Sequence, residues 1–296
     1  MKNKNQIYVP ILASAILIMI LIAKAIDVSL LTRENEYVGI IILEVMIFAF
    51  PCIIFTRLFP QKSGNTLKIS LFGADKLFLA FTASVLLISG SLLYVFLING
   101  INGTDSVFTL YDVFTAKKTD AFSGNLFLIL AYALIPAVFE EFAFRGVICS
   151  AYEEHSPIYS ILMSSVFFGM IHFDIRMLPF YILAGSILGT VLYASGSSLA
   201  AIAVHFIFNL FFIYASDYAN AFIVADKNFS FFTIGLLFFI SAFIFCGECR
   251  SIYKRKAENT KITESDQKVK VNALEIILSP TAVICYLIYF AVEFLK

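Results

Sequence analysis

The chain consists of long apolar stretches separated by short polar segments. A helix needs roughly 17 to 25 mostly apolar residues to cross the hydrocarbon core of a bilayer, and period-two alternation, the mark of strands, is absent here. The pattern therefore predicts an all-α fold, a polytopic transmembrane helical bundle of about eight or nine membrane helices. The predicted spans lie at about 7–23, 37–55, 77–97, 125–150, 157–173, 177–194, 198–214, 229–246 and 273–295.

Composition agrees with a lipid environment. Hydrophobic residues make up 60% of the chain and charged residues 14%, with a mean hydropathy of +0.89. Soluble domains carry about a quarter charged residues. The formal net charge is zero, so no nucleic-acid partner is indicated. We expect one transmembrane domain over residues 1–296, with the lipid bilayer as its surroundings.

Positive charge predicts the orientation. Lys and Arg are concentrated on the side of the membrane that holds the N-terminus, and the stretch from Arg250 to Lys270 contributes seven of them. The positive-inside rule then places the N-terminus in the cytoplasm, with a cytoplasmic polar linker at about 250–272. A composition rich in Phe, Ile and Lys and without Trp fits a bacterial plasma membrane. Residues 1–25 also have features of a signal peptide, but we expect a retained anchor.

Polar residues interrupt the apolar pattern at three places in the second half of the chain. They are the segment Glu140-Glu141-Phe142-Ala143-Phe144-Arg145, then Phe168 to His172, then His205 to Asn209. Ionisable groups at membrane depth cost several kcal/mol and are functional hypotheses by default. Two carboxylates, an arginine, two histidines and an amide are enough to build a hydrolytic site.

The first polar segment separates two kinds of carboxylate. Glu141 and Arg145 are four residues apart, so they can pair on one face of a helix. Glu140 is turned about 100° away from its neighbour and is left over when Glu141 pairs with Arg145. We therefore expect Glu141 and Arg145 to form a structural ion pair and Glu140 to be the chemically available carboxylate. For Glu44, in the second span, we favour a hydrogen-bonded place inside the bundle over one that lines a substrate entrance.

Helix lengths predict that the polar residues converge. A hairpin turn between Tyr152 and Pro157 would bring Glu140 and His172 to comparable depth at about 1.5 Å of rise per residue. His205 and Asn209 share one face of a later helix that follows a turn at 195–197. The preceding helix carries Gly185 and Gly189 four residues apart, a spacing that permits close helix packing. Four helices can thus bring one acid, two imidazoles and one amide to a single pocket.

Two chemistries fit such a pocket. Glu140 can act as a general base on water together with His172, while His205 and Asn209 donate hydrogen bonds to a developing oxyanion. Alternatively, Glu140, His172 and His205 are a ligand set for a divalent metal such as zinc, with an open fourth position for water. The sequence leaves both open.

The three motifs together resemble the CPBP family of intramembrane proteases, which includes CAAX prenyl endopeptidases and the bacterial Abi proteins. They read Glu140-Glu141-x-x-Phe144-Arg145-Gly146, Phe168-x-x-x-His172 and His205-x-x-x-Asn209. The resemblance covers about 123–214, which would be a catalytic helical core. It implies that Glu140 and His172 activate water, that His205 and Asn209 support the oxyanion or a metal, and that Glu141 and Arg145 are structural.

The leading hypothesis is therefore a membrane-embedded peptidase acting near the cytoplasmic face on a membrane-associated peptide or protein. Bacterial relatives of this kind process peptides or pheromones, or confer bacteriocin self-immunity. Two alternatives from other classes remain. One is a non-catalytic immunity or binding protein on the same scaffold. The other is a proton-coupled transporter, although the repeat of hydrophobic segments usual in transporters is absent.

Overall fold

The computed structural model describes residues 5–25, 36–59, 68–101, 122–153, 156–259 and 277–295. Within these ranges the regular secondary structure is helical and contains no strand, which confirms the predicted all-α class. The helices are α1 (Asn5–Ala25), α2 (Glu36–Leu58), α3 (Leu77–Ile101), α4 (122–152), α5 (Pro157–Met170), α6 (Leu178–Ser195), α7 (Ser198–Ala225), α8 (Lys227–Asn259) and α9 (Pro280–Leu295).

Seven of these helices are long and apolar enough to cross a membrane, and they confirm a multi-pass membrane protein. The other two, α5 and α9, are apolar but shorter. Both correspond to predicted spans that are longer than the helices observed. Helix α5 ends at Met170 rather than at residue 173, and α9 begins at Pro280, a residue that favours the first turn of a helix.

Helix α8 extends past the point where the sequence predicted a polar linker. It continues to Asn259, so residues 250–259 are helical. Lys, Arg, Glu and Ala, which fill most of this last segment, are good helix formers even where they are polar. The rest of the predicted linker, residues 260–272, lies outside the described residues.

The chain divides into two compact units. Unit 1 comprises Met1–Ile69, Val138–Gly189 and Ile262–Lys296, and unit 2 comprises Ser70–Ala137 and Thr190–Lys261. In unit 1, α1 packs against α2 and α9, and the second half of α4 packs against α2 and α5. In unit 2, α3 packs against α7 and α8, and the first half of α4 packs against α7. The single domain that the sequence predicted stays a prediction.

Within unit 1, Gly185 and Gly189 lie where α6 approaches α5. A Cβ atom on Gly185 would be 2.8 Å from Ser165 Cα, and one on Gly189 would be 3.2 Å from the side chain of Ile161. Ser186 Oγ reaches Ser165 Oγ at 3.3 Å across the same contact. The two glycines therefore occupy the small-residue face that their spacing predicted, and they let the backbones approach closely.

Replacing Gly185 tests the close approach of α6 to α5. We expect Gly185→Ala to lower the free energy of unfolding by about 1–3 kcal/mol, because the new methyl group overlaps backbone that must shift. Gly235→Ala is the matched control, since a Cβ there meets nothing within 4 Å. Alanine is also the better helix former, so the control should be neutral or slightly stabilising. Unfolding of both variants in detergent micelles makes the comparison, and equal stability would contradict the close approach.

Candidate active site

A buried ion pair lies at the centre of unit 1. Arg145 Nη1 is 3.0 Å from Glu141 Oε1, and the two side chains are 1% and 0% exposed. Arg145 Nη2 also donates a hydrogen bond to the Gly185 carbonyl oxygen at 3.1 Å. The guanidinium carbon lies 4.5 Å from the centroid of the Phe168 ring, a cation–π distance. The side chain of Arg145 therefore connects α4 to both α5 and α6.

Helix α4 is not a regular α-helix around this pair. It contains two π-helical segments, Leu130–Leu134 and Phe142–Ile148, and Arg145 lies in the second. In a π-helix the hydrogen bonds run over five residues instead of four, and such segments are frequent at functional sites. The Glu141–Arg145 pair that four-residue spacing predicted still forms, but it spans the start of the π segment.

Glu140 lies on α4, and His172 lies just past the end of α5, the second helix of the same hairpin. The rings of Phe144 and Phe168 meet edge to face at 5.4 Å, and Ser164 Oγ donates to the Phe144 carbonyl at 2.8 Å. Phe144 follows Glu140 by about one helical turn, and Phe168 precedes His172 by about one turn. Because the two helices are antiparallel, this register places Glu140 and His172 at about the same level. Glu140 itself is buried.

The sequence predicted that His172 lies in a helix. The structure places it instead in a turn after α5. Its ring stacks on Tyr181 with centroids 3.8 Å apart and planes at 16°, and it meets Phe168 edge-on at 5.2 Å. The next residue, Phe173, has a φ of 48°. This left-handed conformation explains why the helix ends early, since helical geometry requires negative φ.

A further carboxylate approaches Glu140 from α2. The rings of Phe48 and Phe144 lie 6.2 Å apart, and Glu44 and Glu140 precede them by one turn each. Glu140 interacts electrostatically with Glu44 as well as with its neighbours on α4. Among the described residues, Glu44 Oε2 is buried and has no hydrogen-bond partner. Glu44 thus faces the interior of unit 1, as the favoured interpretation of the sequence held. Its neighbour there is a second carboxylate, Glu140, and within the described ranges the predicted hydrogen bond is absent at Oε2.

His205 and Asn209 belong to unit 2, where both are buried on α7. Asn209 Nδ2 donates to the carbonyl oxygen of Ala133 at 3.4 Å, within the first π segment of α4. The amide is therefore oriented by α4. Glu140, Glu141, Arg145 and His172 belong to unit 1. The predicted convergence of both histidines, Glu140 and Asn209 on one pocket stays a prediction.

The turn before α7 is tied to the segment that precedes α3. Gly196 has a φ of 73°, which glycine adopts without a steric penalty. Lys76 Nζ donates to the Ser195 carbonyl at 2.7 Å, Ser70 Oγ donates to the Gly196 carbonyl at 3.1 Å, and Ser197 Oγ donates to the Ser70 carbonyl. These contacts fix the start of the helix that carries His205.

The described residues do not form a three-ligand metal site within either unit. No group of three His, Cys, Asp or Glu side chains in these ranges is placed to hold an ion. Unit 1 supplies only Glu140 and His172 of the ligand set that the sequence offered, whereas His205 is in unit 2. The predicted ligand set of Glu140, His172 and His205 stays a prediction.

Comparison with known proteins identifies the family. Residues 122–211 match the model of the "Rce1-like: Type II CAAX prenyl endopeptidase Rce1-like" family. No curated protein and no solved structure was found to match the chain. The matched segment contains all three polar motifs, and the resemblance predicted from them is confirmed. Residues 122–211 are thus similar to a family of CAAX prenyl endopeptidases, which are proteolytic enzymes.

The buried ion pair gives a stability prediction. We expect Glu141→Gln to lower the free energy of unfolding by about 3–5 kcal/mol, because Arg145 is then left charged and uncompensated in an apolar interior. The double variant Glu141→Leu with Arg145→Met removes both charges and should regain most of that loss. Denaturation of purified protein in mixed micelles measures both variants. If Glu141→Gln is as stable as the parent protein, the ion pair is not needed to compensate the buried arginine.

Proposed function

We propose that this protein is an intramembrane endopeptidase that hydrolyses a peptide bond near the cytoplasmic face of the bacterial cell membrane. The observation that carries the proposal is the register of the α4–α5 hairpin, which brings the buried Glu140 level with His172 inside the Rce1-like domain. A carboxylate and an imidazole held at one depth form an acid–base pair suited to activating water.

The reaction is a direct attack by water. Glu140 removes a proton as the water oxygen bonds to the carbonyl carbon of the substrate, giving a tetrahedral intermediate. The carbon–nitrogen bond then breaks as the carbonyl re-forms, and the proton taken up by Glu140 passes through His172 to the departing amine. His205 and Asn209 donate hydrogen bonds to the negatively charged oxygen of the intermediate. Each of these roles is part of the proposal.

The side chains around this pair have defined tasks. Glu141 neutralises Arg145, and Arg145 in turn holds α5 and α6 against α4 through Phe168 and the Gly185 carbonyl. Tyr181 supports one face of the His172 ring. Rigid support of this kind is valuable because a displacement of about 1 Å at a reacting group can cost about 100-fold in rate.

The substrate is proposed to be a membrane-associated peptide or protein, since Glu140, His205 and Asn209 lie in helices that are long and apolar enough to cross a bilayer. Bacterial peptide or pheromone maturation, bacteriocin self-immunity and cleavage of a CAAX-type terminus all provide such substrates. The N-terminus is proposed to be cytoplasmic because the Lys- and Arg-rich stretches fall on its side.

Glu140→Gln is the central test. The amide keeps the size of the side chain and cannot take a proton from water, so we expect peptide hydrolysis to fall by about 100- to 10,000-fold. Activity is read by mass spectrometry on a peptide library with protein in lipid nanodiscs. Glu153→Gln is the matched control, because Glu153 pairs with Lys68 and is about one-third exposed. The control should cleave like the parent protein.

Glu140→Gln and the parent protein together distinguish the peptidase from a binding protein and from a transporter. Unchanged hydrolysis in Glu140→Gln would overturn the proposed role of this residue. Loss of hydrolysis with full retention of biological protection would assign the protection to binding instead of turnover. Proton-driven uptake by the parent protein in liposomes would indicate a transporter.

Metal dependence is tested on the purified protein. Because Glu140 and His172 are proposed to activate water without a metal, we expect hydrolysis to persist after dialysis against a chelator. Elemental analysis before and after dialysis shows whether an ion was present and was removed. Loss of activity on metal removal, with recovery on adding zinc, would instead support Glu140, His172 and His205 as zinc ligands.

A further inference from the structure

The turn that carries His172 is strained at its next residue. Phe173 has a φ of 48° and is buried, with 2% of its surface exposed. A bulky residue in the left-handed region is a genuine outlier. Such strain persists only where surrounding contacts over-determine the conformation, and it clusters at functional sites.

Three contacts from the two ends of the chain hold this turn. The ring of Phe173 stacks on Tyr289 of α9, with centroids 6.0 Å apart and planes at 25°. Lys24, at the end of α1, places Nζ 5.1 Å from the centroid of the same ring. The backbone N–H of Ile175 donates to Glu293 Oε2 of α9 at 3.0 Å. All of these residues belong to unit 1.

Helix α9 presents these groups from its packed face. Tyr289 is buried together with Ala282 and Cys285, and Glu293 follows Tyr289 by four residues, so it projects from the same side. Thr281 Oγ1 also donates to the Ile7 carbonyl at the start of α1. Helix α9 is thus fixed to α1 at one end and reaches the His172 turn at the other.

The far side of the turn is equally constrained. Asp174 Oδ1 accepts hydrogen bonds from the backbone N–H groups of Arg176 and Met177, at 2.9 and 3.1 Å, just before α6 begins. The segment from His172 to Met177 is therefore bonded within itself and to α9. A change in the position of this turn would move His172 relative to Tyr181, on which its ring stacks.

We propose that α9 is a clamp for the catalytic histidine, in which Glu293 is a positioning residue that holds the 173–175 turn and thereby the ring of His172. The inference rests on the proposed function for its catalytic consequence. It adds a residue outside the segment 122–211 that matches the family model. Because Glu293 acts through backbone and reaches no reacting atom, it should influence turnover more than substrate binding.

The first test compares three variants of the full chain in nanodiscs. We expect Glu293→Ala to lower kcat by about 10- to 100-fold with little change in KM, since it releases the turn without altering a binding group. Glu293→Gln should keep most activity, because its amide oxygen still accepts from the Ile175 N–H. Phe294→Ala, at a neighbouring side chain that is 82% exposed, is the matched control and should cleave like the parent protein.

A second measurement does not need activity. The rate at which diethyl pyrocarbonate modifies His172, followed by mass spectrometry, reports how firmly its ring is held. We expect faster modification in Glu293→Ala and the parental rate in Glu293→Gln, with His205 of unit 2 unchanged as the internal reference. If the parent protein shows no hydrolysis, the proposed function fails while this rate still tests the clamp. Unchanged kcat and unchanged modification of His172 in Glu293→Ala would overturn the clamp.

Discussion

The cost of placing a guanidinium in an apolar interior governs this structure. Arg145 is met by a carboxylate, a carbonyl oxygen and an aromatic face, each from a different position along the chain. Removing any of them would leave buried charge poorly solvated, which is far costlier than losing an apolar contact. Helices α4, α5 and α6 are therefore held in one arrangement by the needs of a single side chain. The hairpin register that puts Glu140 and His172 at about the same level is a consequence of that arrangement.

Much of the fold could be predicted because the bilayer reduces the problem to helix length and apolarity. The helical class, the multi-pass topology and the family all followed from the sequence. Spacing arguments also anticipated the Glu141–Arg145 pair and the close approach at Gly185, since each is signalled by two residues one turn apart on a single helix. The ends of α5 and α8 were placed wrongly, because the apolar residues around Phe173 and the strong helix formers after Arg250 gave misleading signals.

Other features of the site had no signal in the sequence. Neither π segment of α4 leaves a recognisable pattern, because the widening of the helix depends on what packs against it. The approach of Glu44 to Glu140 and the reach of Glu293 to Ile175 are long-range contacts, separated by about a hundred residues of chain. Spacing along one helix cannot reveal such pairs. They required the packing of α2 and α9, two helices outside the segment that matches the family.

Gly185 has two roles that constrain each other. Its missing side chain admits Ser165 of α5, and its carbonyl oxygen receives the hydrogen bond of Arg145. Any larger residue at this position would widen the gap between two helices and withdraw an acceptor from a cation at the same time. Divergence at positions 145, 165 and 185 should therefore be concerted: a relative that has lost the arginine no longer needs the acceptor, but it needs a glycine for as long as α5 stays this close.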